Sequence, residues 1–340
     1  VRCSSFDFPP KSFSQNFNQI FRQHKAYLLE VTRSRTRTME SINEQFHQIY
    51  NSSYNLPAYE AKPTTFTQKQ LLDFSKAQHE YLTALALATN KPTKQQPIVI
   101  FLVREITHDV LIRYQKVAAN LEHTVFLITD KWWPRNKEGN LNIVFMFENF
   151  CHQAGYFYVN TDVMPDKLVI TWDRCLFFLS QYQNLYENAW IIEDDVAIKG
   201  KDTLSRFFTK YSNSNADFLA GPPQISGNNP TEWPLWTSLR ERHSGLTTLW
   251  ASYNPVVRVS RRFIQEVQTF VNEKHRLFFL EIFFISLCMA RGLKTEYFYD
   301  LEKHFRYTPS ITFEETQGAL EFPIFHPVKN TMLWDQIWRS

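Results

Sequence analysis

Hydrophobic and polar positions divide the chain into two differently patterned regions. Residues 12–89 are polar and helical in rhythm, without strand alternation. Met39, Ile42, Phe46 and Ile49 make one stripe at helical spacing, and Leu71, Phe74, Ala77 and Leu85 make another, with Tyr81 a looser fit. Residues 55–65 carry Pro57 and Pro63 and read as a connector between helices. The polar, Pro-bounded stretch 90–97 then ends this pattern. The expected organisation is an N-terminal helical extension over 1–95, packed on a main domain over 96–340.

Beyond that linker the rhythm changes. Ile98-Val99-Ile100-Phe101-Leu102-Val103 is a short, wholly apolar run, as a strand buried on both faces requires. A helix over 109–121 follows, then a strand over 124–129 that runs into Asp130. A third strand is expected over 143–147, a helix over 148–154 and a strand-like piece over 156–159. A long amphipathic helix over 171–186 leads into the apolar strand 189–192. Strands alternating with helices predict an α/β fold with a mostly parallel sheet flanked by helices. Ligands of such a sheet lie at the carboxyl ends of its strands.

Composition narrows the function classes. Of 340 residues 44% are hydrophobic and 21% charged, enough apolar surface for a sizeable core, which excludes disorder and a small disulfide scaffold. Only 8 Gly are present, with neither GxGxxG nor GxxxxGK[ST], which argues against Gly-rich phosphate loops. The charge of +3 arises from 37 basic and 34 acidic residues, too balanced for nucleic acid as the main partner. The densest basic patch, Arg33, Arg35 and Arg37, reads as a solvated helix entry. No run reaches the ~18 apolar residues of a membrane span; 277–290 is interrupted by Glu281 and Ser286. Cys3, Cys151, Cys175 and Cys288 lie far apart, and the last three sit in apolar surroundings that suit buried thiols.

The candidate chemistry starts at Glu193-Asp194-Asp195, directly after the apolar strand. Three adjacent carboxylates repel one another, and a cation relieves that repulsion. Hard oxygen donors at a strand end favour Mn²⁺ or Mg²⁺, which bridge carboxylates to a substrate's phosphates. An acidic loop capping the next helix is the alternative.

The passage WDRCLFFLSQYQNLYENAWIIEDDVAI resembles the centre of a GT-A-fold glycosyltransferase of the DXD type, with Glu193 in place of the first Asp. The resemblance spans about 97–330. It implies a GT-A-like fold, a nucleotide-sugar donor (a UDP-sugar favoured), a glycan or glycoprotein acceptor, and Mn²⁺ or Mg²⁺. It implies that Asp195 binds the metal directly and that Glu193 lies near the ribose or reaches the metal through water. Val103 and Arg104, closing the first strand, and Asp130, closing the second, would lie along the nucleotide with Asp194. TLWASYNPVVRVSRRF resembles the strand pair and Ser-capped helix that follow the metal site. In EFPIFHPVK, His326 would complete the metal shell and Lys329 would hold the diphosphate.

Glu281 stands amid Phe278, Phe279, Leu280, Ile282, Phe283 and Phe284, where a carboxylate is expensive to bury without a partner. Desolvation there would tune it towards a general base, and the GT-A resemblance implies that it is the base of an inverting transfer. The alternatives are a helix-start carboxylate or a partner for Arg276 or Arg291. Trp233, Trp236 and Trp250 are candidates for stacking on sugar rings. The rival of a different class is a non-catalytic carbohydrate-binding or scaffold protein with a degenerate transferase fold. A first residue that is Val and one sequon at Asn51 lean towards the secretory pathway or Golgi lumen, or the cytoplasm in a bacterial or viral setting.

Overall fold

The computed structural model describes residues 75–83, 97–104, 106–129, 137–139, 141–157, 169–225, 246, 249–306, 309–318 and 320–340. Most of the expected N-terminal extension, Cys3, Asn51, Asp130, Trp233 and Trp236 lie outside them. Along the described chain run α1 (75–83), β1 (Ile98–Val103), α2 (His108–Ala118), β2 (Thr124–Thr129), β3 (Lys137–Glu138), β4 (Leu141–Phe145) and α3 (Glu148–Gln153). Then come α4 (Thr171–Gln181), β5 (Asn188–Glu193), β6 (Ala197–Ile198), α5 (Thr203–Lys210), β7 (Phe218–Ala220) and β8 (Pro223–Ile225). The rest is β9 (Trp250–Ser252), β10 (Val256–Ser260), α6 (Arg261–Lys274), α7 (Leu280–Arg291), β11 (Thr295–Tyr297), β12 (Ile324–Phe325) and α8 (Thr331–Arg339). No described helix is long and apolar enough to cross a membrane.

Eight strands form one mixed sheet in the order β11-β7-β10-β5-β1-β2-β4-β3. The pairs β1–β2, β1–β5, β2–β4 and β7–β11 are parallel, while β10 runs antiparallel to both neighbours and β3 to β4. The α/β fold with a mostly parallel sheet flanked by helices is therefore the one the strand–helix alternation predicts. The wholly apolar runs are explained by burial on two faces. Ile98, Ile100 and Leu102 point into one layer with Phe178, Val267 and Phe283; Val99, Phe101 and Val103 point into the other with Tyr114, Phe207 and Trp334.

Helix boundaries follow their caps. Thr107 accepts from Val110 N at the start of α2, and Ser260 accepts from Phe263 N at the start of α6, as a Ser-capped helix requires. At the end of α7, Gly292 takes φ +62°, the left-handed stop that glycine adopts without strain. Some expected elements are shorter. The helix expected over 171–186 ends at Gln181, because Tyr182 leaves helical geometry at φ −120° and a 3₁₀ turn, Gln183–Leu185, carries the chain to β5. The third strand sits at Leu141–Phe145 rather than 143–147, in register with β2. Tyr156 and Phe157 are irregular instead of strand-like, their backbones held by Cys151 O and Leu277 N. Cys151, Cys175 and Cys288 are buried free thiols, and burial pushes the Cys151 thiol up to about 12.

One contact ties the N-terminal region to the sheet. Ala77, Tyr81 and Leu82 of α1 are buried in the same apolar layer as β1. The Gln78 side-chain amide donates to Phe145 O at 3.0 Å, and its carbonyl accepts from Phe145 N at 3.1 Å. A single side chain thus imitates a neighbouring strand at the end of β4 that β3 does not cover. We expect Gln78→Leu to remove both of these buried hydrogen bonds to Phe145. That should lower stability by about 1–3 kcal/mol, read as a shifted denaturant midpoint.

Candidate metal centre and active site

The acidic triplet is placed by three strands. Glu193 ends β5 and lies opposite Leu102 in the β1 ladder and next to Pro255, whose carbonyl accepts from Glu193 N at 2.9 Å. A tight turn follows, with Val196 N donating to Glu193 O at 3.2 Å. The turn sends the side chains of Asp194 and Asp195 to different partners. Asp194 Oδ2 accepts from the backbone N of Arg104 at 3.4 Å, at the carboxyl end of β1. Asp195 Oδ1 lies 3.0 Å from His326 Nε2.

His326 arrives from far along the chain. β12 pairs antiparallel with β6, Phe325 opposite Ala197, so the residue after β12 reaches the triplet. Val328 N then donates to Asp195 O at 2.7 Å and locks the two segments together. Glu193 completes the group. Its Oε1 accepts from Trp172 Nε1 at 2.6 Å, and its Oε2 stands 3.5 Å from His326 Nε2. One donor atom from each of Glu193, Asp195 and His326 lies within 4.8 Å of the others, a group able to hold a metal ion.

The ring nitrogens of His326 have distinct tasks. Nδ1 lies 3.1 Å from the carbonyl of Arg306, which only accepts, so Nδ1 carries the hydrogen. The other nitrogen faces two carboxylates, from where all three groups could share a divalent cation. A backbone carbonyl on the far nitrogen is the usual means of fixing a metal-binding imidazole.

Electrostatics separates the three acids. Burial pushes the Glu193 carboxyl up to about 7, against the Trp172 hydrogen bond and the charge of His326. Burial also raises Asp194, opposed by the Arg104 amide. For Asp195 burial acts upwards but is outweighed: the His326 hydrogen bond and charge, with Lys329 beside them, hold it below the usual carboxylate range. The structure thus brings Arg104, Asp194, Glu193, Asp195, His326 and Lys329 to one end of the parallel strands. Val103 is different: its side chain is 1% exposed and packs into the apolar layer under the sheet, so only its backbone faces the strand end. Trp250 is half-buried against the other layer, its backbone N–H donating to Ser286 Oγ.

Glu281 sits in the first turn of α7, half-buried. Arg291, its sequence-level alternative partner, engages Glu273 at 2.9 Å and Glu266 at 3.7 Å. Burial raises the Tyr253 hydroxyl well above its ordinary value, and the charges of Glu281, Glu193 and Asp195 raise it further, in that order. Sequence reasoning missed Tyr253, although the TLWASYNPVV passage that contains it was singled out. Trp172 opens the WDRCLFFLSQ passage, but nothing in the sequence shows its bond to Glu193, 21 residues on.

No protein-family model matches the chain. No curated protein sequence matches it either. Among solved structures the chain is similar to mouse xyloside xylosyltransferase 1 in its apo form. The two share 11% sequence identity at a TM-score of 0.33, over 59% of this chain and 84% of that one.

Proposed function

We propose that this protein is a GT-A-like, metal-dependent glycosyltransferase. It moves a sugar from a nucleoside-diphosphate donor, a UDP-sugar favoured, to a hydroxyl of a glycan or glycoprotein acceptor. The observation that carries this reading is the convergence of Glu193, Asp195 and His326 at the carboxyl end of β5. Two carboxylates and one imidazole nitrogen fit a divalent ion that accepts oxygen and nitrogen donors, Mn²⁺ above Mg²⁺ because of the imidazole. Asp195 and His326 are the direct ligands, and Glu193, held by Trp172, is the third. When bound, such an ion neutralises charge developing on a departing diphosphate.

The remaining residues divide the substrate between them. Lys329, exposed beside Asp195, meets the diphosphate. Arg104, Asp194 and the backbone end of β1 at Val103 meet the nucleoside, with Asp130 as the corresponding residue after β2. Glu281 takes the proton of the acceptor hydroxyl as that oxygen attacks the anomeric carbon, giving inversion.

Asp195→Asn tests the metal assignment. The amide keeps the shape of the carboxylate and removes its charge, so UDP with Mn²⁺ should raise the melting temperature of the parent and not of the variant. An equal shift in both proteins would sink the assignment.

A further inference from the structure

The turn that carries the acidic triplet is gripped at its backbone by segments from elsewhere in the chain. Glu193 O receives Val196 N within the turn, and Asp195 O receives Val328 N at 2.7 Å. The Tyr114 hydroxyl of α2 reaches Asp194 O at 3.5 Å. Val196 O accepts from Trp334 Nε1 at 2.7 Å, a donor 138 residues further along the chain. Trp334 is 1% exposed, on the helix α8 that packs against β6. Its indole is held in turn by two neighbours. The Arg113 guanidinium lies 4.5 Å from the ring centre, and the Trp338 ring stacks on it at 5.7 Å. Arg113 is 6% exposed, and its Nε and Nη2 make no hydrogen bond among the described residues. The negative face of the indole receives part of this buried charge.

We propose that Trp334 is a positioning residue for the metal group, fixing through Val196 the turn on which Asp195 stands. The inference rests on the metal-dependent reading above and deepens it. Asp194 turns to Arg104 N and Asp195 to His326 only while the turn keeps its backbone dihedrals. Peptide units are planar, so pinning a carbonyl pins a whole unit. Val328 N pins the unit before Val196, and Trp334 Nε1 pins the unit after it. Without the indole bond the second unit can rotate, and the Asp195 carboxylate loses its fixed place against His326 Nε2. An indole N–H suits this task because it donates only and carries no charge. It holds the carbonyl without adding a cation that competes with the metal.

The test compares Trp334→Phe with Ile337→Ala, both on α8. Mn²⁺ affinity is measured from free Mn²⁺ by electron paramagnetic resonance, and stability from denaturant midpoints. Phe keeps a ring for Arg113 and Trp338 and removes only the N–H edge. Ile337 is fully buried in the same apolar layer, its side chain has no donor, and Ala there lowers stability through lost packing. Trp334→Phe should weaken Mn²⁺ binding about ten-fold, the low end for a residue supporting a ligand. Ile337→Ala should bind Mn²⁺ as the parent does. Parental affinity in Trp334→Phe would overturn the role. Equal weakening in Ile337→Ala would overturn it too, since α8 would then act through stability alone. If Trp334→Phe does not fold, hydrogen exchange in the parent decides. By reciprocity Mn²⁺ should slow backbone exchange in α8 more than in α6, and equal slowing in both overturns the role. Asp195→Asn, run alongside, separates the two levels. Mn²⁺ binding that ignores Asp195 overturns the metal reading itself, whereas binding that needs Asp195 but not the indole overturns only the role of Trp334.

Discussion

Glu281→Gln is expected to slow single-turnover sugar transfer by ~10²–10⁴-fold, the usual loss when general-base help is removed. Gln preserves volume and hydrogen bonding but accepts no proton. The residue lies in the first turn of α7, while the diphosphate and cation are assigned to Asp195, His326 and Lys329 on other segments. UDP affinity at saturating Mn²⁺ should therefore hold, and the fall should appear in kcat. The measurement pairs single-turnover rates, on whichever UDP-sugar of a panel turns over, with a melting temperature. A carboxylate that only favours the helix dipole would give a modest loss of stability and near-parental turnover. That result would move the base elsewhere, with Asp194 or Glu232 next in line, or point to a retaining mechanism that needs no such base.

The second large effect is a stability change of opposite sign to a functional one. In the folded chain the Glu193 carboxyl sits at about 7, above its ordinary value of 4.5. The folded state therefore holds this proton more tightly than the unfolded state does. Its contribution is fully present below pH 4.5, declines as pH rises and is gone above pH 7, where the ionised group burdens the cation-free fold. The difference corresponds to at most about 3 kcal/mol. Glu193→Gln, which keeps an acceptor for Trp172 Nε1, carries no such burden. In EDTA the variant should match the parent near pH 4.5 and exceed it in stability at pH 8. On adding Mn²⁺ at pH 8 the order should narrow or reverse, because the cation relieves the parent and finds one ligand fewer in the variant. Denaturant midpoints at the two pH values, with and without Mn²⁺, check both parts. Parallel pH profiles in EDTA would refute the assigned burial cost.

The strands β1 and β2 were legible to the residue because burial on both faces leaves an unbroken apolar run that no amphipathic helix imitates. The cap at Ser260 was legible for a similar reason: its bond to Phe263 N is local. The acidic triplet announced itself by adjacency, and the GT-A resemblance singled out His326. The arrangement of these parts was not legible. β7 and β11 have three residues each, too few to show a period, and their places in the sheet depend on partners far along the chain. The break at Tyr182 escaped notice because the apolar spacing continues through it. Tyr253 stayed hidden because its partner, His326, is 73 residues away. Val103 shows what a strand end leaves open: the side chain there obeys the alternation of the strand and turns into the core, so only the backbone is placed to face a ligand.

The pairing of β12 with β6 bears on the order in which a ribosome makes this molecule. All eight strands of the main sheet have been synthesised once Tyr297 has emerged, and Glu193 and Asp195 lie within that length. His326 emerges later, on the segment that also supplies Phe322, Ile324, Phe325, Trp334 and Ile337 to the second apolar layer. A nascent chain halted before β12 holds two acids without their imidazole and a sheet with one face incompletely covered. Apolar surface left open in this way is what chaperones and proteases recognise. Quality control that reads only exposed apolar surface therefore also screens for the imidazole, since one stretch of chain delivers both.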